Sequence, residues 1–181
     1  SGTATEVQGK KVLRYAFPTA ETGFDPAQIQ DLYSRTVTPH IFEGLYQYDP
    51  LARPAKVRPQ TAAGMPEVSD DFKTWIVRIR PGIFFADDEA FKGQKRELVA
   101  ADYVYSVKRF ADPAYKSPAW TFFADFEFEG LADLRKAALD SKKPFDYDKP
   151  IEGLKALDRY TIQFKLGSPR PRFIGTLAGG D

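Results

Sequence analysis

Cysteine is absent from all 181 residues, which removes disulfides, thiolate metal sites and cysteine nucleophiles at once. That absence leaves the redox compartment open, because a cysteine-free chain is at home in any of them. Histidine occurs once, as His40, so a Ser-His-Asp triad has a single possible base. His40 follows Pro39 in the expected first turn of a helix, a position that suits a structural or solvated histidine. Charge of one sign is also missing: 26 Lys and Arg stand against 25 Asp and Glu, a net charge of +1. Nucleic acid is therefore excluded as a partner, since no basic surplus exists to meet its phosphates. No apolar run approaches the roughly 20 residues that a membrane-spanning helix needs. Ser1-Gly2-Thr3-Ala4-Thr5 is small and polar, unlike a signal peptide, so an exported protein would be represented here in mature or trimmed form.

What remains is globular in character, with 43% apolar and 28% charged residues, a balance that disordered chains lack. Fourteen prolines and thirteen glycines favour a loop-rich α+β chain over a helical bundle. The length fits one large domain or one and a half small ones.

The stretch from Val68 to Pro113 carries the clearest signals. Trp75, Val77 and Ile79 alternate with Thr74, Arg78 and Arg80, and only Ile76 breaks the pattern, so a strand with one buried face is predicted. Pro81-Gly82 stops it, proline fixing φ at the first corner of a turn and glycine taking positive φ at the second. After a charged excursion, Ala100, Tyr103, Val104, Val107, Phe110 and Ala111 recur at helical spacing. Asp102 in the first turn and Lys108-Arg109 in the last suit the helix dipole, and Asp112-Pro113 ends the helix.

Elsewhere, Val12 to Phe17 reads as a strand closed by Pro18, and residues 21–26 as a turn. Thr38 and Pro39 make a sound helix start. Leu51 to Pro66 is proline-rich and irregular, with Met65 expected to fill the core. Leu131, Leu134, Ala138 and Leu139 predict a helix ending near Ser141 and Pro144. Ile162, Phe164 and Leu166 alternate as the inward face of a second strand. No internal repeat is visible.

Motifs that carry chemistry are few. Asp87-Asp88-Glu89 has the oxygen donors of a hard-cation site, but with Lys92, Lys95 and Arg96 nearby it reads as a solvated loop tip. Asp146-Tyr147-Asp148 lacks the glycine and glutamate of a calcium loop, and no glycine-rich phosphate cradle occurs. Nothing pairs two carboxylates as a glycosidase requires. No catalytic residue, metal site or cofactor is expected. The aromatic group Trp120, Phe122, Phe123, Phe126 and Phe128 reads first as core, and otherwise as a wall of a ligand cleft.

Taken in order, Val68-Ser69-Asp70-Asp71, Thr74-Trp75, Arg80-Pro81-Gly82, Phe84-Phe85, Ala100, Asp102, Ser106, Arg109 and Asp112-Pro113 resemble the peptide/nickel-type (family 5) extracellular solute-binding proteins of ABC importers. Phe42-Glu43-Gly44-Leu45 matches as well. Two departures stand out. The usual Asp-Gly after the aromatic strand is Asp87-Asp88 with a longer loop, and the threonine expected before the helix is Val99, which removes the usual N-cap.

The resemblance implies an α+β fold, a largely antiparallel small sheet with packed helices, forming part of the N-terminal lobe of a two-lobe periplasmic binding protein. Residues 1–35 would be the first strand and cleft segment, 36–168 a helix-and-sheet subdomain, and 169–181 the start of a following element, with the second lobe absent from this piece. It implies a non-catalytic, periplasmic receptor that delivers oligopeptide or dipeptide-like solutes to membrane permease subunits, with the fragment monomeric. A nickel complex, haem or an oligosaccharide on the same scaffold stays open as the solute. So do a hydrolase and a partner-docking module as other classes. The expected ligand contacts are Gln30, Asp31, Leu32 and Tyr33, in the segment after Asp25-Pro26, and Trp120, just after Ser117-Pro118.

Overall fold

The computed structural model describes residues 44–87 and 89–178. The predicted strand at 12–17, the turn at 21–26, the segment at 28–33 and the helix start at 38–39 lie outside the described residues. Among the described residues two antiparallel sheets are present. Strands β1 (Tyr46–Tyr48) and β2 (Val57–Pro59) form a hairpin, while β3 (Glu67–Val68), β4 (Thr74–Arg78), β5 (Leu154–Asp158) and β6 (Thr161–Lys165) form a four-stranded sheet in the order β3-β4-β6-β5. The fold is therefore α+β with antiparallel pairing throughout these sheets.

Alternation explains the central pair. Trp75, Val77 and Ile79 are buried from one strand, and Ile162, Phe164 and Leu166 from its partner, with Trp75 opposite Phe164 and Val77 opposite Ile162. The other face carries polar groups, including an exposed Arg78–Glu67 pair at 2.6 Å that contributes little to stability. Gly82, at φ +82°, takes the predicted left-handed corner after β4.

Among the described residues four α-helices accompany the sheet: α1 (Ala100–Ala111), α2 (Trp120–Asp125), α3 (Leu131–Ser141) and α4 (Phe173–Leu177). Helix α1 lies against β5 and β6 and meets α2 and α3 on its other sides. Val99 precedes α1 and offers no side-chain acceptor; Asp102 compensates by taking the Val99 N–H at 2.8 Å. The core is centred on Phe173, whose ring lies edge-on to Trp75, Phe126, Phe128 and Phe164 at centroid distances of 5.4 to 6.0 Å.

Three backbone bonds lock the crossing of the β5 entry with the end of β6. Gly153 N–H donates to Glu129 at 2.9 Å, Glu129 N–H to Lys165 at 3.0 Å, and Lys165 N–H to Gly153 at 3.0 Å. A Cβ at Gly153 would overlap the Glu129 backbone nitrogen, so only glycine allows this approach.

The structure corrects several sequence expectations. Met65 is 59% exposed and fills no core, because the turn before β3 carries it outward. The stretch 51–66 is not wholly irregular, since β2 pairs within it. Leu139 falls in the predicted helix but faces solvent. Lys108 and Arg109 fall in the last turn of α1 as expected, but Lys108 is 4% exposed and points into the protein instead of out to solvent.

Candidate functional site

Of the expected ligand contacts, Gln30, Asp31, Leu32 and Tyr33 lie outside the described residues, as does His40. Trp120 opens α2, and a local turn sets its direction. The buried Ser117 accepts the Ala119 N–H on its Oγ at 3.3 Å and the Trp120 N–H on its carbonyl at 3.2 Å. Pro118 within that turn fixes φ and contributes no donor.

The Trp120 ring is half-buried against the core, and the Arg135 guanidinium from α3 lies 5.0 Å from its centroid. Arg135 is itself held, donating Nη1 to the Ala111 carbonyl at 3.0 Å. A cation over the indole face adds roughly 0.5–1 kcal/mol at a partly exposed site and holds the ring in one orientation. Around it, Phe123 stacks on Phe110 at 4.4 Å, while Phe122 is 51% exposed. The result is an aromatic ledge with an exposed rim, suited to flat or apolar groups.

A buried polar node lies at the same C-terminal end of α1. Lys108 Nζ donates to the carbonyls of Tyr147 at 2.8 Å and Lys149 at 3.0 Å. Burial pushes its amine below the ordinary lysine value, with Asp146 and Asp148 opposing that shift. The Tyr147 hydroxyl donates to Asp112 Oδ2 at 2.6 Å, and the Ala114 N–H donates to Asp112 Oδ1 at 2.9 Å. Burial first, and then the Asp112 carboxylate, raise the Tyr147 phenol far above its usual range. The node ties the 145–149 loop to α1, and its groups are spent on one another. Sequence reasoning missed it, although Lys108 sits four residues after Val104 on the apolar face of α1.

In the acidic loop, Asp87 and Glu89 are exposed and Asp88 lies outside the described residues. Among the described residues, no three His, Cys, Asp or Glu side chains cluster as metal ligands would.

Comparison with known proteins agrees with this architecture. Residues 56–179 match the family described as bacterial extracellular solute-binding proteins, family 5 Middle. The chain is 28% identical over 153 residues to the periplasmic oligopeptide-binding protein OppA of Salmonella typhimurium, covering 84% of this chain and 24% of that protein. It is 33% identical over 173 residues to the oligopeptide-binding protein AmiA of Streptococcus pneumoniae, covering 94% of this chain and 24% of that one. The chain thus spans about a quarter of the length of these relatives. The solved structure of the pheromone receptor PrgZ, which describes that receptor's mode of peptide binding, superposes with a TM-score of 0.65 at 27% identity, over 88% of this chain and 28% of that one. With two-thirds of its residues inside the family match and its sheet and helices in the same arrangement as a solved relative, this chain belongs to the family 5 bacterial extracellular solute-binding proteins.

Proposed function

We propose that this chain is part of the substrate-binding component of an ABC importer, a receptor that takes oligopeptide or dipeptide-like solutes in the periplasm and hands them to membrane permease subunits. The family match across residues 56–179, with relatives named for oligopeptide binding, is the observation that carries this reading. The chain acts by binding and not by catalysis. In this reading the 181 residues supply one wall of a cleft: 1–35 as first strand and cleft segment, 36–168 as the helix-and-sheet subdomain, and 169–181 as the start of the next element. A second lobe supplies the other wall, and solute stabilises the closed form by touching both.

Trp120 presents its indole to a side chain of the peptide, while Gln30, Asp31, Leu32 and Tyr33 meet the peptide main chain as an added strand would. The clamped ring favours this role, because a pre-oriented aromatic loses little entropy on binding. Calorimetric titration of an oligopeptide pool tests the proposal. Binding is expected when these residues are part of a two-lobe protein and is weak or undetectable for the 181 residues alone. Micromolar binding by the 181 residues alone, or a two-lobe protein indifferent to peptides, contradicts it.

A further inference from the structure

Residues 83–98 leave the sheet as a long excursion. Its base is closed by Phe85 N–H donating to Arg96 at 2.9 Å and Leu98 N–H donating to Ile83 at 2.7 Å. Beside it, against the turn that joins β5 to β6, lies an open concavity of about 540 Å³. Lys92, Lys95, Arg96 and Arg159 line it, and among the described residues Glu97 is the one carboxylate in its wall. Glu97 is already engaged: the Tyr160 hydroxyl donates to it, and Arg159 lies 3.8 Å away. Arg96 is paired with Asp102 through both terminal nitrogens, Nη1 to Oδ2 at 3.1 Å and Nη2 to Oδ1, and sits 4.9 Å from the centre of the Phe85 ring. Lys92 and Lys95 are exposed, and among the described residues no carboxylate lies within ion-pair distance of either. The acids of the same excursion, Asp87 and Glu89, stand outside the wall.

We propose that this concavity binds a phosphate-bearing ligand, its oxyanion on Lys92 and Lys95 with Arg96 and its apolar body on Phe91. Two point-charge ammonium groups match a doubly charged oxyanion better than a single carboxylate, while the Arg96 fork is itself paired with Asp102 and offers only its remaining outer N–H groups. A space of about 540 Å³ also leaves room for an organic group beyond the phosphate itself. Phe91 lines that space and leans on Phe85 at 6.3 Å, giving the organic part an apolar surface. The same chemistry occurs in a soluble phosphomonoester and in a phospholipid headgroup. This inference is independent of the peptide-binding proposal and uses none of its residues.

Two probes separate the sources: sn-glycerol 3-phosphate, followed by amide shifts over residues 90–99, and co-sedimentation with phosphatidylglycerol vesicles against phosphatidylcholine vesicles. At least one is expected to bind the full chain. The K92Q/K95Q variant should weaken that binding by about tenfold or more, since two of the charges facing the anion are gone. K142Q/K143Q, altered at the far end of α3, should leave it unchanged. Both pairs are exposed, so near-UV circular dichroism should be the same in all three proteins. Binding of neither probe overturns the proposal, as does equal weakening in the two variants, which would mean general attraction to a charged surface.

Discussion

Lys108 stands where an apolar residue would continue the buried face of α1, yet its amine satisfies two loop carbonyls that accept no backbone hydrogen bond among the described residues. Lys108→Ala should therefore cost about 2 kcal/mol, most of it from stranding those carbonyls, as read by urea denaturation. A loss below about 0.5 kcal/mol would mean that water replaces the amine without penalty. Asp158 offers a residue-scale test with pH. It accepts the Tyr160 N–H at 2.9 Å in the turn before β6, and this bond, followed by the Thr161 side chain, holds its carboxyl below the ordinary value of 3.8. A carboxyl with a depressed folded value stabilises the fold fully above 3.8, and that contribution is lost as pH falls through the folded value. Asp158→Asn should remove this part of the acid-dependent loss, so wild-type and variant midpoints converge as the pH is lowered below 3.8. A constant gap across the acid range would contradict it.

Elements are held together chiefly by α4 and the crossing at Gly153. Phe173 is 2% exposed and touches rings from β4, β6 and the segment after α2, so Phe173→Ala should cost about 3–5 kcal/mol in a denaturant titration. Gly153→Ala should be more disruptive than its size suggests, because the added carbon meets backbone that cannot turn aside. Gly64→Ala, where nothing lies within 4 Å, is the control and should change the midpoint little. Equal stability of the two glycine variants would refute the tight crossing.

The elements also show what the sequence makes legible. Strands β4 and β6 and helices α1 and α3 could be read in advance, because each buries a face at its own period, two for Trp75, Val77 and Ile79 and about 3.6 for Ala100, Val104 and Ala111. Strand β5 escaped notice because an outer strand buries only Leu154 and the rest of its pattern is polar or exposed. Strand β2 is hidden in the sequence by Pro59 and the proline-rich run around it, and Met65 is not placed by hydropathy, which does not say which side of a turn faces water. At the site, Trp120 could be singled out only through the family resemblance, in which a residue after the Ser-Pro pair approaches the ligand. Its partner Arg135 could not, since a contact between residues on two helices has no local signature.

Across the whole molecule, the antiparallel sheet and its helices form a scaffold on which Trp120 is held from behind by Arg135. On the proposed function, Trp120→Ala should weaken peptide binding by about tenfold, while the melting temperature of the two-lobe protein shifts by only a few degrees. Arg135→Met should weaken it less, since the ring stays but loses its clamp. An Arg135 effect larger than that of Trp120 would point to the guanidinium itself as the contact. The most direct measurement is photocrosslinking of an oligopeptide carrying a benzophenone side chain to these residues within a two-lobe protein, with the adduct mapped by mass spectrometry. The account predicts label on residues 28–33 and on the segment around Trp120, competed away by unlabelled peptide. Label confined to the polar face of the sheet, or label that unlabelled peptide does not displace, would contradict it.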